Sequence, residues 1–184
     1  MSVNLPNTIT VIRILLVPLF VIYLQKHLFM LSLVVFTVAA ISDGLDGMFA
    51  RLFDQRTSLG AYLDPIADKM LLISAFITLS IQGIVPFWLS VIVISRDILI
   101  LTGILICAIS DIKVTIQPSI ISKCTTVFQL VTVFISLLYQ VISAEPSTHW
   151  MHTLYGITAM LTITSGLHYI HKGLNIHQNG SENR

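Results

Sequence analysis

The stretch Asp43-Gly44-Leu45-Asp46-Gly47-Met48-Phe49-Ala50-Arg51, followed after eight residues by Gly60-Ala61-Tyr62-Leu63-Asp64-Pro65-Ile66-Ala67-Asp68, sets four carboxylates inside segments otherwise hydrophobic enough to cross a membrane. Carboxylates at bilayer depth are rare, costly and commonly functional. Residues three or four apart share a helix face, so Asp43 and Asp46 line one face of one span and Asp64 and Asp68 one face of the next. Joined by a short loop, these spans are expected to pack as an antiparallel pair with their carboxylates converging. Four uncompensated charges in one desolvated pocket repel strongly, so the pocket requires a cation. Arg51 and Lys69 are near, but oxygen donors without Cys or His suit a hard divalent ion such as Mg²⁺, Mn²⁺ or Ca²⁺. Carboxylates on facing helices are also how bundle proteins hold two metals.

The rest of the chain fits that setting. Of 184 residues, 55% are hydrophobic and 10% charged, the composition of an integral membrane protein rather than a soluble domain. With about 20 apolar residues needed per crossing, six stretches qualify: Thr8 to Gln25, Leu28 to Phe53, Gly60 to Gln82, Pro86 to Ser110, Pro118 to Ser143 and Thr148 to Lys172. The expected fold is all-α and polytopic, with six transmembrane helices and a short N-terminal interfacial segment, Met1 to Asn7, broken by Pro6. Residues 1–173 form the membrane domain and 174–184 a frayed polar tail. The N-terminus lacks the basic leader and small-residue cleavage site of a signal peptide.

Six crossings put both termini on one side. Arg51, Arg56, Lys113, Lys123, Lys172 and Arg184 fall on that side and Lys26 on the other, so the termini and the loop between the aspartate pairs are expected to face the cytoplasm. The near-zero net charge gives no footprint for nucleic acid, and Cys107 and Cys124 have no metal-ligand or disulfide pattern. Trp88, Trp150 and Tyr139 fall toward outer span ends, as interfacial anchors do.

Gly47, Ala50 and Gly60 keep the surroundings of the acids low, leaving room for a flat or phosphorylated group. Hard metals, an arginine and small residues together suit phosphoryl transfer, with a lipid on one side of the reaction and a water-soluble group on the other. Acids facing one another across helices also line ion paths. A divalent-cation transporter is therefore the competing reading, weakened because the acids cluster at one membrane face and the outer halves of the spans read as Leu, Ile, Val and Phe.

The arrangement Asp-x-x-Asp-Gly-x-x-Ala-Arg, eight residues, Gly-x-x-x-Asp-x-x-x-Asp resembles the signature of the CDP-alcohol phosphatidyltransferases at all its defining positions. Leu5-Pro6-Asn7-Thr8-Ile9-Thr10-Val11-Ile12-Arg13 resembles the entry to that family's first helix. The resemblance implies attack of an acceptor hydroxyl on the β-phosphorus of a CDP-linked lipid, CDP-diacylglycerol, with release of CMP. It implies that Asp43, Asp46, Asp64 and Asp68 hold Mg²⁺ or Mn²⁺, as two ions, and that Asp68 is also the general base. Asp43, Gly47, Ala50, Arg51 and Gly60 would bind the CDP donor. It further implies a homodimer in the cytoplasmic membrane of a bacterium or the mitochondrial inner membrane.

Two acceptors compete: phosphatidylglycerol, which gives cardiolipin, and glycerol 3-phosphate, which gives phosphatidylglycerophosphate. Arg96 and Lys123 are the candidate acceptor-binding residues, with Asp97 as a possible structural partner of Arg96. By the same resemblance, the glycerol 3-phosphate branch carries Arg-Glu in place of Arg96-Asp97 and a further Arg two turns later, where Ile104 stands here. A dianionic phosphomonoester needs more positive charge than Arg96 and Lys123 supply. The single charge of a phosphodiester is matched by them. The run Ser122-Lys123-x-x-Thr126-x-x-Gln129 after Pro118 also resembles the cardiolipin synthases.

Overall fold

A computed structural model describes residues 5–53, 58–109, 120–142 and 148–182, with side chains over 12–42, 69–103, 120–142 and 149–171. Among the described residues the chain is all-helical, without strands: α1 Leu5–Gln25, α2 Phe29–Phe53, α3 Ser58–Ile81, α4 Phe87–Ile109, α5 Ile120–Ile142 and α6 Thr148–Glu182. These coincide closely with the six apolar stretches. Two ends differ from expectation. Leu5, Pro6 and Asn7 already belong to α1, because a proline in the first turn forfeits only an N–H that has no intrahelical acceptor. At the other end α6 continues to Glu182, so residues 174–182 of the expected polar tail are described as helix.

The chain divides into two compact units, Met1–Val85 with Leu130–Pro146, and Pro86–Gln129 with Ser147–Arg184. In the first, α1 packs along both α2 and α3, whereas α2 and α3 touch each other only slightly among the described residues. The acid-bearing halves of α2 and α3, where the expected pairing falls, lie outside the residues whose side chains are described. Phe20 and Leu24 of α1, Phe36 and Ala39 of α2, and Leu72, Ala75, Phe76 and Leu79 of α3 are buried. The rings of Phe20 and Phe36 meet at 5.8 Å. Gln82 Nε2 donates to the Leu24 carbonyl at 2.6 Å, tying the end of α3 to the end of α1.

Both helices end in the same turn. At α1, Leu28 N donates to Tyr23 O and His27 N to Leu24 O; at α3, Ile84 N donates to Leu79 O and Gly83 N to Ser80 O. This Schellman pattern needs a left-handed residue at its centre. Gly83 supplies it at φ 72°, but at the end of α1 the position is His27 at φ 57°. A left-handed conformation costs a side-chain-bearing residue about 1–2 kcal/mol, partly offset by the lower unfolded-state entropy of a non-glycine. His27→Gly should therefore stabilise the protein by about 0.5–1 kcal/mol, read as a higher Tm in detergent; a lower Tm would contradict this account.

In the second unit α4 packs on α6. The first half of α5 is bonded to α6 through Thr125, whose Oγ1 donates to Leu161 O at 3.1 Å, and through Gln129, whose Nε2 donates to Thr162 Oγ1 at 3.3 Å.

The distribution of side chains is the reverse of that in a soluble bundle. Thr125, Gln129, Thr132 and Ser136 of α5 and Thr158, Thr162 and Ser165 of α6 are fully buried, while Ile120, Val127, Phe128, Ile142, Ile157, Met160, Ile163 and Leu167 of the same helices are exposed. Large apolar faces turned outward around polar interiors suit a lipid solvent. Many hydroxyls also bend back on their own helix: Thr37 to Leu33 O, Thr78 to Ser74 O, Thr158 to Leu154 O and Thr162, which accepts from Gln129 as well, to Thr158 O. Such bonds satisfy groups that water does not reach. Among the described residues, α5 by itself is both long and apolar enough to cross a membrane.

Candidate functional site

The aspartate motif is split between two helices. Asp43, Asp46, Gly47, Ala50 and Arg51 lie in the last part of α2, and Gly60, Asp64 and Asp68 in the first part of α3. The backbone therefore gives each acid pair the helical spacing that the sequence predicts. Their side chains lie outside the described residues. Among the described residues no group of three or more His, Cys, Asp or Glu side chains comes together.

The acceptor candidates are described, and they differ from each other. Arg96, ten residues into α4, is 4% exposed, and its NH1 meets Asp97 Oδ1 at 2.7 Å. NH2 donates twice, to Ser122 Oγ on α5 at 2.6 Å and to Ser165 Oγ on α6 at 2.8 Å. The Tyr169 ring, one helical turn beyond Ser165, lies 6.0 Å from the guanidinium carbon, within cation–π range. The stem of Arg96 lies against Gly166 of α6, where a Cβ would stand 3.6 Å from Arg96 Cγ, an ordinary packing contact. The guanidinium is thus fixed in its plane by three helices. A planar fork of donors suits such a site better than a lysine point charge. Its Nε is buried and has no partner among the described residues.

Lys123 is not gathered into this cluster. It follows Ser122 on α5, but its side chain is exposed. The sequence places Arg96 and Lys123 together as acceptor ligands; the structure brings Arg96 together with Asp97, Ser122, Ser165 and Tyr169 instead. The ion pair with Asp97 expected on burial grounds is present. Arg13, on α1, is 1% exposed and so is buried within its unit.

What the residue pattern did not reveal is the contribution of α6. Thr158, Thr162, Ser165 and Tyr169 follow helical spacing along one face, and Thr125, Gln129, Thr132 and Ser136 do the same on α5. That periodicity of hydroxyls inside apolar helices was the available signal. Thr132 and Ser136 extend the buried hydroxyls into the second half of α5. Neutral groups of this kind differ from the charged or carbonyl-lined rings of an ion path.

Comparison with known proteins agrees with the motif. Residues 3–164 match the CDP-alcohol phosphatidyltransferase family. A human protein named cardiolipin synthase (CMP-forming) is 30% identical over 186 residues, covering 92% of this chain and 62% of its own length. The chain thus spans about three-fifths of that relative. A CDP-diacylglycerol--glycerol-3-phosphate 3-phosphatidyltransferase of Bacillus subtilis (strain 168) is 28% identical, covering 92% of this chain and 94% of its own. One of the same name from Wigglesworthia glossinidia brevipalpis is 36% identical over 149 residues, covering 76% and 79%. With the match running from residue 3 to residue 164 and through both halves of the aspartate motif, the chain belongs to the CDP-alcohol phosphatidyltransferase family.

Proposed function

We propose that this chain transfers the phosphatidyl group of CDP-diacylglycerol to the hydroxyl of phosphatidylglycerol, forming cardiolipin and releasing CMP. The observation that carries the reaction is the complete aspartate motif, divided between α2 and α3 inside the family match. Asp43, Asp46, Asp64 and Asp68 form a donor set of hard oxygens without Cys or His, which fits Mg²⁺ or Mn²⁺. Bound there, two such ions would neutralise diphosphate charge and favour in-line displacement. Gly47, Ala50 and Gly60 leave space for the cytidine and diphosphate, Arg51 adds a positive charge, and Asp68 takes the proton of the attacking hydroxyl. The bond that forms joins the acceptor oxygen to the lipid phosphorus; the bond that breaks joins that phosphorus to the bridging oxygen of CMP.

The choice of acceptor rests on charge. Asp97 already compensates Arg96 at 2.7 Å, so the buried pair is neutral overall, and the exposed Lys123, next to Ser122 in sequence, adds one positive charge. One net positive charge suits a phosphodiester better than a phosphomonoester near −2. Glycerol 3-phosphate is the second reading, favoured by the names of the Bacillus and Wigglesworthia relatives. All six helices cross the membrane in this reading, in a homodimer whose active site faces the cytoplasm, an orientation supported by the Lys and Arg asymmetry.

The test offers phosphatidylglycerol and glycerol 3-phosphate in parallel to purified protein with CDP-diacylglycerol and Mg²⁺ or Mn²⁺. Cardiolipin is the expected product, and chelation by EDTA should stop CMP release. Phosphatidylglycerophosphate would overturn the acceptor assignment alone. Divalent-cation flux into liposomes without CMP release would overturn the enzyme.

A further inference from the structure

Ser165 lies one residue beyond the segment that matches the family, which ends at 164. It is fully buried, on the third of the three helices that meet at Arg96. Its neighbours on α6 show how unusual its bonding is. Thr158, Thr162 and Thr164 each turn the hydroxyl back to a carbonyl of their own helix, at Leu154, Thr158 and Met160. Among the described residues Ser165 Oγ instead accepts a bond from Arg96 NH2 at 2.8 Å and has no other partner.

An oxygen that accepts from a guanidinium keeps its own proton to donate, and the cationic donor polarises that proton. The single N–H of Arg96 Nε, also buried, is a second donor without a partner among the described residues. Two unspent donors therefore lie within one cluster, in a place where an unsatisfied donor is costly. Their common complement is an anionic oxygen. NH1 and NH2 are held by Asp97, Ser122 and Ser165, so the direction of the remaining Nε–H is set by those three residues.

We infer that Ser165 is a specificity-determining residue for the acceptor: it orients Arg96 and donates its hydroxyl proton to a phosphate oxygen of the acceptor, beside the Arg96 Nε–H. This rests on the reading of Arg96 as an acceptor-binding group. A serine on α6, outside the aspartate motif, thus helps set which alcohol phosphate is taken.

Ser165→Ala should raise the acceptor KM about tenfold, the effect of one lost hydrogen bond to a charged group. The KM for CDP-diacylglycerol should stay unchanged, and kcat should fall far less than the acceptor KM rises. Ser165→Thr, which keeps the hydroxyl, should restore the acceptor KM. Thr164→Ala, at the exposed neighbour bonded to its own helix, should leave all three constants unchanged. Both acceptors are assayed by CMP release, with Tm measured for each variant. An unchanged acceptor KM in Ser165→Ala overturns the inference, as does an equal rise in both KM values with a lowered Tm. Arg96→Ala separates the two levels. If it raises the acceptor KM while Ser165→Ala does not, the role of Ser165 alone fails; if neither does, the acceptor reading of Arg96 fails as well.

Discussion

Asp68→Asn should reduce CMP release by about 10²–10⁴-fold, the range that separates a positioned general base from none, while CDP-diacylglycerol still binds. The amide keeps the size of the carboxyl group and one acceptor oxygen, but it takes up no proton at neutral pH. Asp68 lies one turn past Asp64 on α3, so it shares a face with a proposed metal ligand and is the last acid of the motif. A carboxylate beside metal ions is a weak base, and it serves here through the acidity and placement that the site gives the acceptor hydroxyl. Asp43→Asn provides the contrast. On α2, in the donor-binding set, it should weaken metal and donor binding together. Parallel measurements of donor binding and CMP release on the two variants test this division. Equal loss of donor binding in both would contradict it.

The boundaries of the fold were legible because each helix is a long apolar run closed by a breaker. Gly83 and Pro86 separate α3 from α4, and Lys26 and His27 separate α1 from α2. The lengths of those runs gave the elements without any tertiary information. The packing was less legible. Hydrophobic runs exposed on several sides carry little information about which neighbour they meet, and the packing of α1 along both α2 and α3 had no local signal. At the C-terminus, Gly173, Gly180 and the polar residues between them argued for fraying, since glycine is a poor helix former. The backbone nevertheless continues as α6 to Glu182.

The candidate site divides in the same way. The acids stand out because charge inside an apolar run has few explanations. Arg96 and Asp97 stand out for the same reason, and burial at 4% and 0% shows why they are adjacent. Ser165 and Tyr169 were hidden because a hydroxyl or a tyrosine in an apolar helix is ordinary taken singly, and Ser122 stood out only as part of the run after Pro118. Their meaning comes from the convergence of three helices on one guanidinium, which no local pattern encodes.

Asp97→Ala should lower stability by about 3–5 kcal/mol, the cost of leaving one member of a buried ion pair without the other. Arg96 would keep its bonds to Ser122 and Ser165 but lose the charge opposite NH1. The double change Arg96→Met with Asp97→Ala should be less damaging than Asp97→Ala alone, because removing both charges leaves no unpaired ion in a low-dielectric interior. Thermal unfolding in detergent reads both. A single variant within about 1 kcal/mol of the parent, a surface-pair magnitude, would mean that the pair is solvated in the working protein. Asp97→Asn separates charge from hydrogen bonding, since the amide oxygen still accepts from NH1 while the negative charge is gone. Local charge then rises by one, toward what a phosphomonoester requires. Relative kcat/KM should shift from phosphatidylglycerol toward glycerol 3-phosphate in this variant. A shift in the opposite direction would show that Asp97 does not tune the acceptor site through its charge, and would leave the pair with a structural role alone.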